Sequence, residues 1–546
     1  MFIFISSLYP RDDIATLKTH LLNQDLYKDP KWLALLHSNN PNIQNFYLYE
    51  DSFDPKLEYL ATIEALFDDI KHNKQNIICQ YPARMYFIYS HIKDPLFKKL
   101  IDTSECKDLN DFLNIVPIDE LYLQFAAESE IYPGSSMGHI FLHLKGMVKN
   151  DFDTKLGNEN LNIKKGDIQE YSIGYFANLS RIFNPLDYFR ALFGYLDGFY
   201  MLHPYINAEF DYLQNEQRSI YIFKIHTKQL DLFALHLYEL KDKKLPYNFI
   251  NYNCTGGIMN ILAILDDGFI FDTKKHFITP LEYIRYLQKN DKIAILDIKT
   301  PPKKQNFISQ YGHNEILNAR NASKLSLTIS KDQASLYFAP IYSDIKNVDD
   351  SYKELIESRM FSMKLGIEDN DIFIDKIELI RLFSIADIFK TSNFSKLISI
   401  DLESNLYNYD KNRIFSSDSN HSNRLFPTIK IGFGMGYYLY KFSFYSMLNL
   451  GYRYEIIDNP FASFNIGVIA SFSKVKFISD YQIFYDFKAN NRGYDSKLSL
   501  YTGFNILNQQ DLFIEFNSYN NIFKNKKISY EKNKSHSLKI GYSINF

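Results

Sequence analysis

The sequence predicts a multidomain α+β chain. A small helical module is expected over residues 12–105, an α+β domain over 115–300, and an antiparallel transmembrane β-barrel of about 12 strands over 320–546. Three observations carry this. Apolar residues recur at helical spacing as far as residue 105. From Ile118 the pattern changes to period-2 alternation broken by Gly- and Pro-containing turns. Beyond Pro301-Pro302-Lys303-Lys304, read as a short linker, alternating strands follow one another until the chain ends on Phe546.

Composition narrows the class. A chain of 546 residues holds roughly two to four domains, each large enough for a normal core. A net charge of only −3 gives no reason to expect a nucleic-acid partner. The chain has 42 Tyr and 46 Phe against a single Trp, which suits Tyr-rich amphipathic strands at a lipid boundary. No stretch reaches the ~18 to 20 apolar residues of a transmembrane helix, so a membrane span must be a barrel. The opening residues MFIFISSLYP read as the back half of a secretory signal, with an ordinary first strand as the alternative. Three cysteines cannot all pair. Cys79 and Cys106 either bridge in an oxidising compartment, leaving Cys254 free, or all three are reduced.

In the first module, Asp12 to Leu26, Pro30 to His37 and Leu57 to Ile70 have helical spacing, the last after an Asp54-Pro55 start signal. In IICQYPARMYFIYSHI, Pro82-Ala83-Arg84 is expected to separate an apolar strand from a helix. Trp32 and His37 read as packing residues.

In the middle domain, LYLQFAAES and HIFLHL are expected strands on either side of a turn at Tyr132 to Ser136. Alternation puts His139, Phe141 and His143 on one face. The two histidines lack a Cys or carboxylate at supporting spacing, so no metal is expected, and no cofactor either. A histidine leaving a Gly-containing turn suits a general base. YSIGYFAN (171–178) is a further strand, and 192–205 reads as a Gly- and aromatic-rich loop. Its Phe193, Tyr195, Phe199 and Tyr200 are candidates to wall a pocket for an apolar substrate. Asn215, Glu216 and Arg218 form a polar knot, read as an ion pair from which Glu216 is also a candidate to orient a base. Asp231 to Leu240 is an expected helix.

The most reactive candidate follows in YNFINYNCTGGIMNILAIL. An Asn-rich approach delivers Cys254 to the start of an expected helix, where unpaired N–H groups and the positive dipole end favour thiolate over thiol. The N–H groups near Cys254 and Thr255 are candidates to hold an oxyanion, and Asn253, Glu216 and His143 are candidates for an orienting third residue.

Read together and in order, PGSSMGH, YSIGYFAN, LFGYLDGFY, NEQR, LYELKD and YNFINYNC resemble the N-terminal periplasmic domain of the bacterial lipoprotein intramolecular transacylase (Lnb) family. The QYPAR module and the C-terminal region resemble partners of that domain. The family is similar to papain-like and NlpC-like cysteine hydrolases in permuted order, with His before Cys. The resemblance implies a papain/NlpC-like α+β catalytic domain with His139 as base and Cys254 as nucleophile. The chain departs from the family pattern at Met137, at His143 and in the strand after NEQR, which bears on substrate preference and leaves the His–Cys pair intact.

In the last third, Leu538, Ile540, Tyr542, Ile544 and Phe546 alternate with Lys539, Gly541, Ser543 and Asn545. So many polar inward residues would be costly in a soluble core and suit a wet or plugged lumen. The expected function is an outer-membrane-anchored periplasmic Cys-His enzyme. It would act on an ester or amide bond through a thioester, as an acyltransferase or hydrolase, with membrane lipid and lipoproteins as expected partners. The alternatives are a peptidoglycan amidase or peptidase of NlpC-like type, and a non-enzymatic barrel for transport or assembly carrying a relict domain.

Overall fold

The structure is a computed structural model. It describes residues 11–546 except 40, 50, 73, 129–136, 157–158, 179–189, 191–193, 195, 228–229, 250–251, 272–277, 303–319, 332, 349–354, 369–370, 392–393, 404–424, 455–458, 488–493 and 525–529. The chain forms two compact units. One comprises Met1–Ala126, His139–Tyr212 and Ser219–Lys299, and the other Ala127–Gly138, Leu213–Arg218 and Thr300–Phe546.

The first unit opens with seven helices: α1 (Arg11–Leu22), α2 (Pro30–Leu35), α3 (Pro55–Lys71), α4 (Asn76–Gln80), α5 (Pro82–Ile92), α6 (Pro95–Leu100) and α7 (Lys107–Ile115). Three of them begin with the same dipeptide. Asp29, Asp54 and Asp94 accept the N–H of Lys31 at 2.8 Å, Lys56 at 2.7 Å and Phe97 at 2.9 Å, and each is followed by a proline. The aspartate satisfies an orphan donor, and proline brings a preset φ where its missing N–H costs nothing. The strand expected before Pro82 is instead the short helix α4. An apolar run of three residues fits either form, and here the Asp69 carboxylate accepts the Ile77 N–H at 2.7 Å and starts the turn.

Cys79 and Cys106 are bridged, with their Cα atoms 5.3 Å apart. The helical module does not close its core alone. Trp32, Leu66 and Phe87 lie in one buried cluster with Leu232, Ala263 and Ile264 of the following domain. Arg84 of the QYPAR motif is wholly buried, paired with Glu58 and donating to the Phe46 carbonyl at 2.8 Å.

The α+β part carries β1 (Glu120–Ala126), β2 (His139–Met147), the hairpin β3 (Phe152–Leu156) and β4 (Glu159–Ile163), β5 (Ile168–Ala177), β6 (Leu196–Pro204), β7 (Ile220–Ile225), β8 (Leu245–Tyr247) and β9 (Ile293–Lys299). Seven of these form one sheet in the order β8-β6-β5-β2-β1-β7-β9, antiparallel throughout. The helices among them are α8 (Tyr205–Phe210), α9 (Leu230–Glu239), α10 (Cys254–Leu262) and α11 (Pro280–Lys289). Most of the segment expected to be a Gly-rich loop, 192–205, is strand β6. Gly198 is not a break in it. A Cβ there would meet the Tyr175 hydroxyl oxygen at 2.2 Å, so the glycine admits that ring.

The second unit is a closed antiparallel barrel. Its strands are β10 (Lys324–Ser330), β11 (Ala334–Ala339), β12 (Ile341–Ser343), β13 (Ile356–Glu368), β14 (Asp371–Ser384), β15 (Ser395–Glu403), β16 (Phe426–Leu439), β17 (Phe442–Arg453), β18 (Asn459–Phe472), β19 (Val475–Asp486), β20 (Tyr494–Leu507), β21 (Gln510–Lys524) and β22 (Tyr530–Asn545). The short β11 and β12 lie end to end against β13 and count as one strand, so thirteen segments make twelve barrel strands. The last strand pairs with the first, Asn545 opposite Lys324, and the ring has no free edge.

Alternation sorts the side chains. On β16 the apolar Ile431 and Phe433 are 50% and 63% exposed, whereas Thr428 is fully buried. An apolar exterior around a polar interior is the inverse of a soluble barrel and the arrangement a lipid exterior demands. Among the described residues no helix is long and apolar enough to cross a membrane.

Candidate active site

Cys254 is the first residue of α10. Asn253 caps that helix, its Oδ1 accepting the N–H of Thr255 at 2.9 Å and of Gly256 at 3.2 Å. Its amide donates to the carbonyls of Phe249 at 3.2 Å and Ile278 at 3.3 Å. Asn253 is thus committed to holding the turn, and the cap already engages the Thr255 N–H. The Thr255 hydroxyl is buried without a hydrogen-bond partner. Cys254 is half-buried and is the cysteine outside the disulfide.

The helix lies on Tyr175 and Tyr200. A Cβ on Gly257 would fall 2.4 Å from the Tyr175 Cγ, and the Tyr200 hydroxyl donates to the Gly257 carbonyl at 2.8 Å. Tyr247, stacked 5.7 Å from Tyr175, has its phenol pushed up by burial and then by charge at Cys254.

Alternation then decides where the other candidates point. Tyr175 and Tyr200 face α10, so their neighbours Phe176 and Phe199 point to the opposite face. His139 is on that second face. Its ring stacks 4.9 Å from Phe176 and lies 6.2 Å from Tyr212. His139 and Cys254 therefore approach from opposite faces of one sheet. They do so at the same end, where β2 starts, β5 finishes and β6 pairs with Tyr247.

His143 shares the face of His139 and is tied up in a network of its own. Its Nε2 meets Glu170 Oε2 at 3.0 Å, its Nδ1 meets the Gln124 amide at 3.2 Å, and its ring stacks 3.7 Å from Tyr205. Burial pushes its pKa down, against the opposing pull of Glu170. Glu216 falls in a segment of the second unit, where it pairs with Arg218 at 2.8 Å. Phe193 and Tyr195 lie outside the described residues. Among the described residues no group of three or more His, Cys, Asp or Glu side chains could hold a metal ion.

Sequence reasoning missed the groups behind the Cys254 turn. Tyr252 is buried and its phenol is pushed up to about 12 by burial, against its hydrogen bonds with Tyr200 and Asn260. Its hydroxyl accepts from the Asn260 amide at 2.9 Å and meets His37 Nδ1 at 3.2 Å. His37 Nε2 in turn meets His236 Nε2 at 3.0 Å. The only local signal was the position of Tyr252, two residues before Cys254.

Residues 108–290 match the Lnb N-terminal periplasmic domain, and residues 24–91 match a domain of unknown function (DUF7843). No curated protein sequence matches the chain. Similar solved structures include the NanC porin, 7% identical, covering 41% of this chain and 100% of that chain at a TM-score of 0.27. The KdgM porin is 10% identical, covering 41% and 98% at 0.24. OmpT of Vibrio cholerae is 8% identical, covering 78% and 95% at 0.21. The closed ring with its apolar exterior and the periplasmic family matched upstream agree on location. The chain is an outer-membrane protein in which residues 108–290, which match the Lnb N-terminal periplasmic domain, precede a closed twelve-stranded barrel.

Proposed function

We propose that this protein is a membrane-anchored periplasmic acyltransferase or hydrolase with Cys254 as nucleophile. Its substrate is a lipoprotein or lipid-like ester or amide. The observation that carries the reading is a thiol outside the disulfide, on the first turn of a well-capped helix, within a region that matches the Lnb domain.

The helix start favours the thiolate. The sulfur adds to the carbonyl carbon, and the adduct collapses by breaking the C–O or C–N bond. The leaving alcohol or amine takes a proton from the imidazolium of His139, the proposed acid–base group. Water or an amine then attacks the thioester and returns a proton to His139, and the S–C bond breaks. Cys254 carries the proposal; His139 is tested apart from it, because its ring packs on the other face of the sheet.

The barrel's part in this reading is to keep the enzyme at a lipid surface. Its interior supports an anchor over a transport pore. Arg359 meets Glu378 at 3.2 Å, and Lys376 meets the same carboxylate at 2.8 Å. Past β12, the Lys346 carbonyl accepts from the Tyr501 hydroxyl at 3.2 Å while its ammonium meets Glu515 at 2.9 Å.

The test uses full-length protein in detergent with a diacylated lipopeptide or purified muropeptides, read by mass spectrometry. Cys254→Ala is expected to abolish turnover of the lipopeptide, a loss of about a thousandfold or more, and to remove the thioester adduct. Unchanged lipopeptide turnover would sink the reading, and turnover of muropeptides alone would replace it with a peptidoglycan hydrolase. His139→Ala is expected to lower turnover at least a hundredfold; a smaller loss removes His139 as the base and leaves Cys254 standing.

A further inference from the structure

The helical module places a histidine against Tyr252, two residues before the candidate nucleophile. His37, just after α2, is buried, and so is His236 on α9. The two rings stack at 5.3 Å with their Nε2 atoms 3.0 Å apart. His236 Nδ1 faces Glu239 Oε2 at 3.5 Å, and the other oxygen of Glu239 accepts the N–H groups of Ala83 at 2.7 Å and Arg84 at 3.1 Å.

The Glu239 carboxylate faces His236 Nδ1 at 3.5 Å without closing a hydrogen bond, so that end of the pair is an electrostatic contact. Between the two Nε2 atoms one ring donates and the other accepts. Tyr252 accepts from Asn260, and its hydroxyl meets both His37 Nδ1 and Tyr200. The result is one linked chain, Asn260 to Tyr252 to His37 to His236. It begins on the second turn of α10 and ends on α9, whose Glu239 accepts from the first turn of the QYPAR helix. The Asn39 amide, next to the same histidine turn, donates to the Asn260 side-chain oxygen Oδ1 at 3.4 Å.

We propose that His37 is a positioning residue for Cys254, and that through Tyr252 the helical module and the Lnb domain form a single catalytic unit. The proposal rests on Cys254 being the nucleophile. Tyr252 and Asn260 bracket the Cys254 turn from both sides, so their bond fixes where the thiol stands at the helix start. His37 fixes Tyr252 in turn. The module is thereby a working part of the site, and its role exceeds that of a spacer.

The thiol itself supplies the readout, because the other two cysteines are bridged. Alkylation of Cys254 by iodoacetamide is followed against pH in the full-length protein. His37→Phe keeps the ring volume and removes both hydrogen bonds, whereas His37→Gln keeps an acceptor and a donor. At pH 7, His37→Phe is expected to slow alkylation about tenfold, with the rate–pH curve moved to higher pH. Tyr252→Phe, which removes only the hydroxyl, is expected to do the same. His37→Gln is expected to recover the rate to within about threefold of wild type. Thermal melts of each variant show whether the unit is still folded, and Tyr252→Phe decides the matter if His37→Phe is not. Equal rates for His37→Phe, Tyr252→Phe and wild type would overturn the proposal. A wild-type thiol that titrates like free cysteine would instead overturn the nucleophile assignment.

Discussion

Gly257 lies flat against Tyr175: a Cβ on the glycine would sit 2.4 Å from the ring's Cγ and 2.6 Å from its Cβ. Alanine in a helix interior is ordinarily worth about 1 kcal/mol over glycine. Here the obstructing atoms are the root of a buried side chain, which cannot swing aside. Gly257→Ala is therefore expected to destabilise the periplasmic unit by about 1–3 kcal/mol, seen as a lower melting temperature. It should also slow alkylation of Cys254, because α10 must lift off the sheet. A variant as stable and as reactive as wild type would refute this packing.

How much of this was legible in the sequence depended on whether the signal was local. The Asp54-Pro55 dipeptide marked a helix start because cap and φ preset sit next to each other. The barrel was legible because period 2 persists over many strands, so that Leu538, Ile540 and Tyr542 announce an exterior by themselves. Two segments misled for physical reasons. Gly194 and Gly198 look like loop punctuation, yet Gly198 serves the approach of Tyr175. Ile77 to Gln80 is too short for its period to show. The pairing of His37 with His236 spans 199 residues and leaves no local trace. Nor could spacing tell which face of the sheet α10 would cover, and so it did not reveal that His139 and Cys254 come from opposite sides.

Asn253 is predicted to be sensitive even to its acid. Its Oδ1 caps two N–H groups, and its amide feeds two carbonyls. Asn253→Ala is expected to cost about 1–2 kcal/mol for the cap alone. Asp is as good a cap as Asn in isolation, but here it would turn an acceptor toward the carbonyls of Phe249 and Ile278. Asn253→Asp is therefore expected to be no more stable than Asn253→Ala in urea unfolding. An Asp variant matching wild type would show those two donor bonds to be idle.

Acid should weaken the periplasmic unit early. Burial holds His37 well below the ordinary histidine value, with His236 as a second cause, and burial also lowers His236 against the pull of Glu239. A depressed histidine binds its proton in the unfolded chain first. Stability is thus unaffected above about pH 6.5 and falls as pH drops below it, down to the lowered native values. Each histidine contributes a slope of about 1.4 kcal/mol per pH unit in that window. Melting temperatures between pH 7.5 and 5.5 should fall on this account, and His37→Gln should flatten the slope. A pH-independent melt would mean the pair is not buried and neutral.

The bridge between Cys79 and Cys106 closes a loop with a sequence separation of 27. By loop entropy, its removal is expected to cost about 3–4 kcal/mol. Because Cys106 belongs to the core shared with Ala263 and Ile264, and Cys79 packs against it, the loss should register at α10 as well. Dithiothreitol, or the double variant Cys79→Ser/Cys106→Ser, should lower the melting temperature of the periplasmic unit. Unreduced protein unfolded in guanidinium should titrate as one thiol per chain. Three thiols would exclude the bridge.

The barrel is predicted not to conduct as a porin does. Ile345 turns inward after β12 to join Phe383, Tyr445 and Ile469 in a buried apolar cluster. The Val348 carbonyl accepts from Arg320 at 2.9 Å, and Arg320 also meets Asp511 at 2.6 Å. Water and ions crossing the lumen would have to part this cluster and the Arg359, Glu378 and Lys376 ion pairs together. Full-length protein in planar bilayers should show no steady ohmic current. Arg320→Ala with Lys346→Ala frees the inward segment from Asp511 and Glu515 while leaving the ring of strand pairs intact, so it should introduce brief openings. A steady wild-type conductance would make the lumen a pathway, and transport would then have to enter the account of what this protein does.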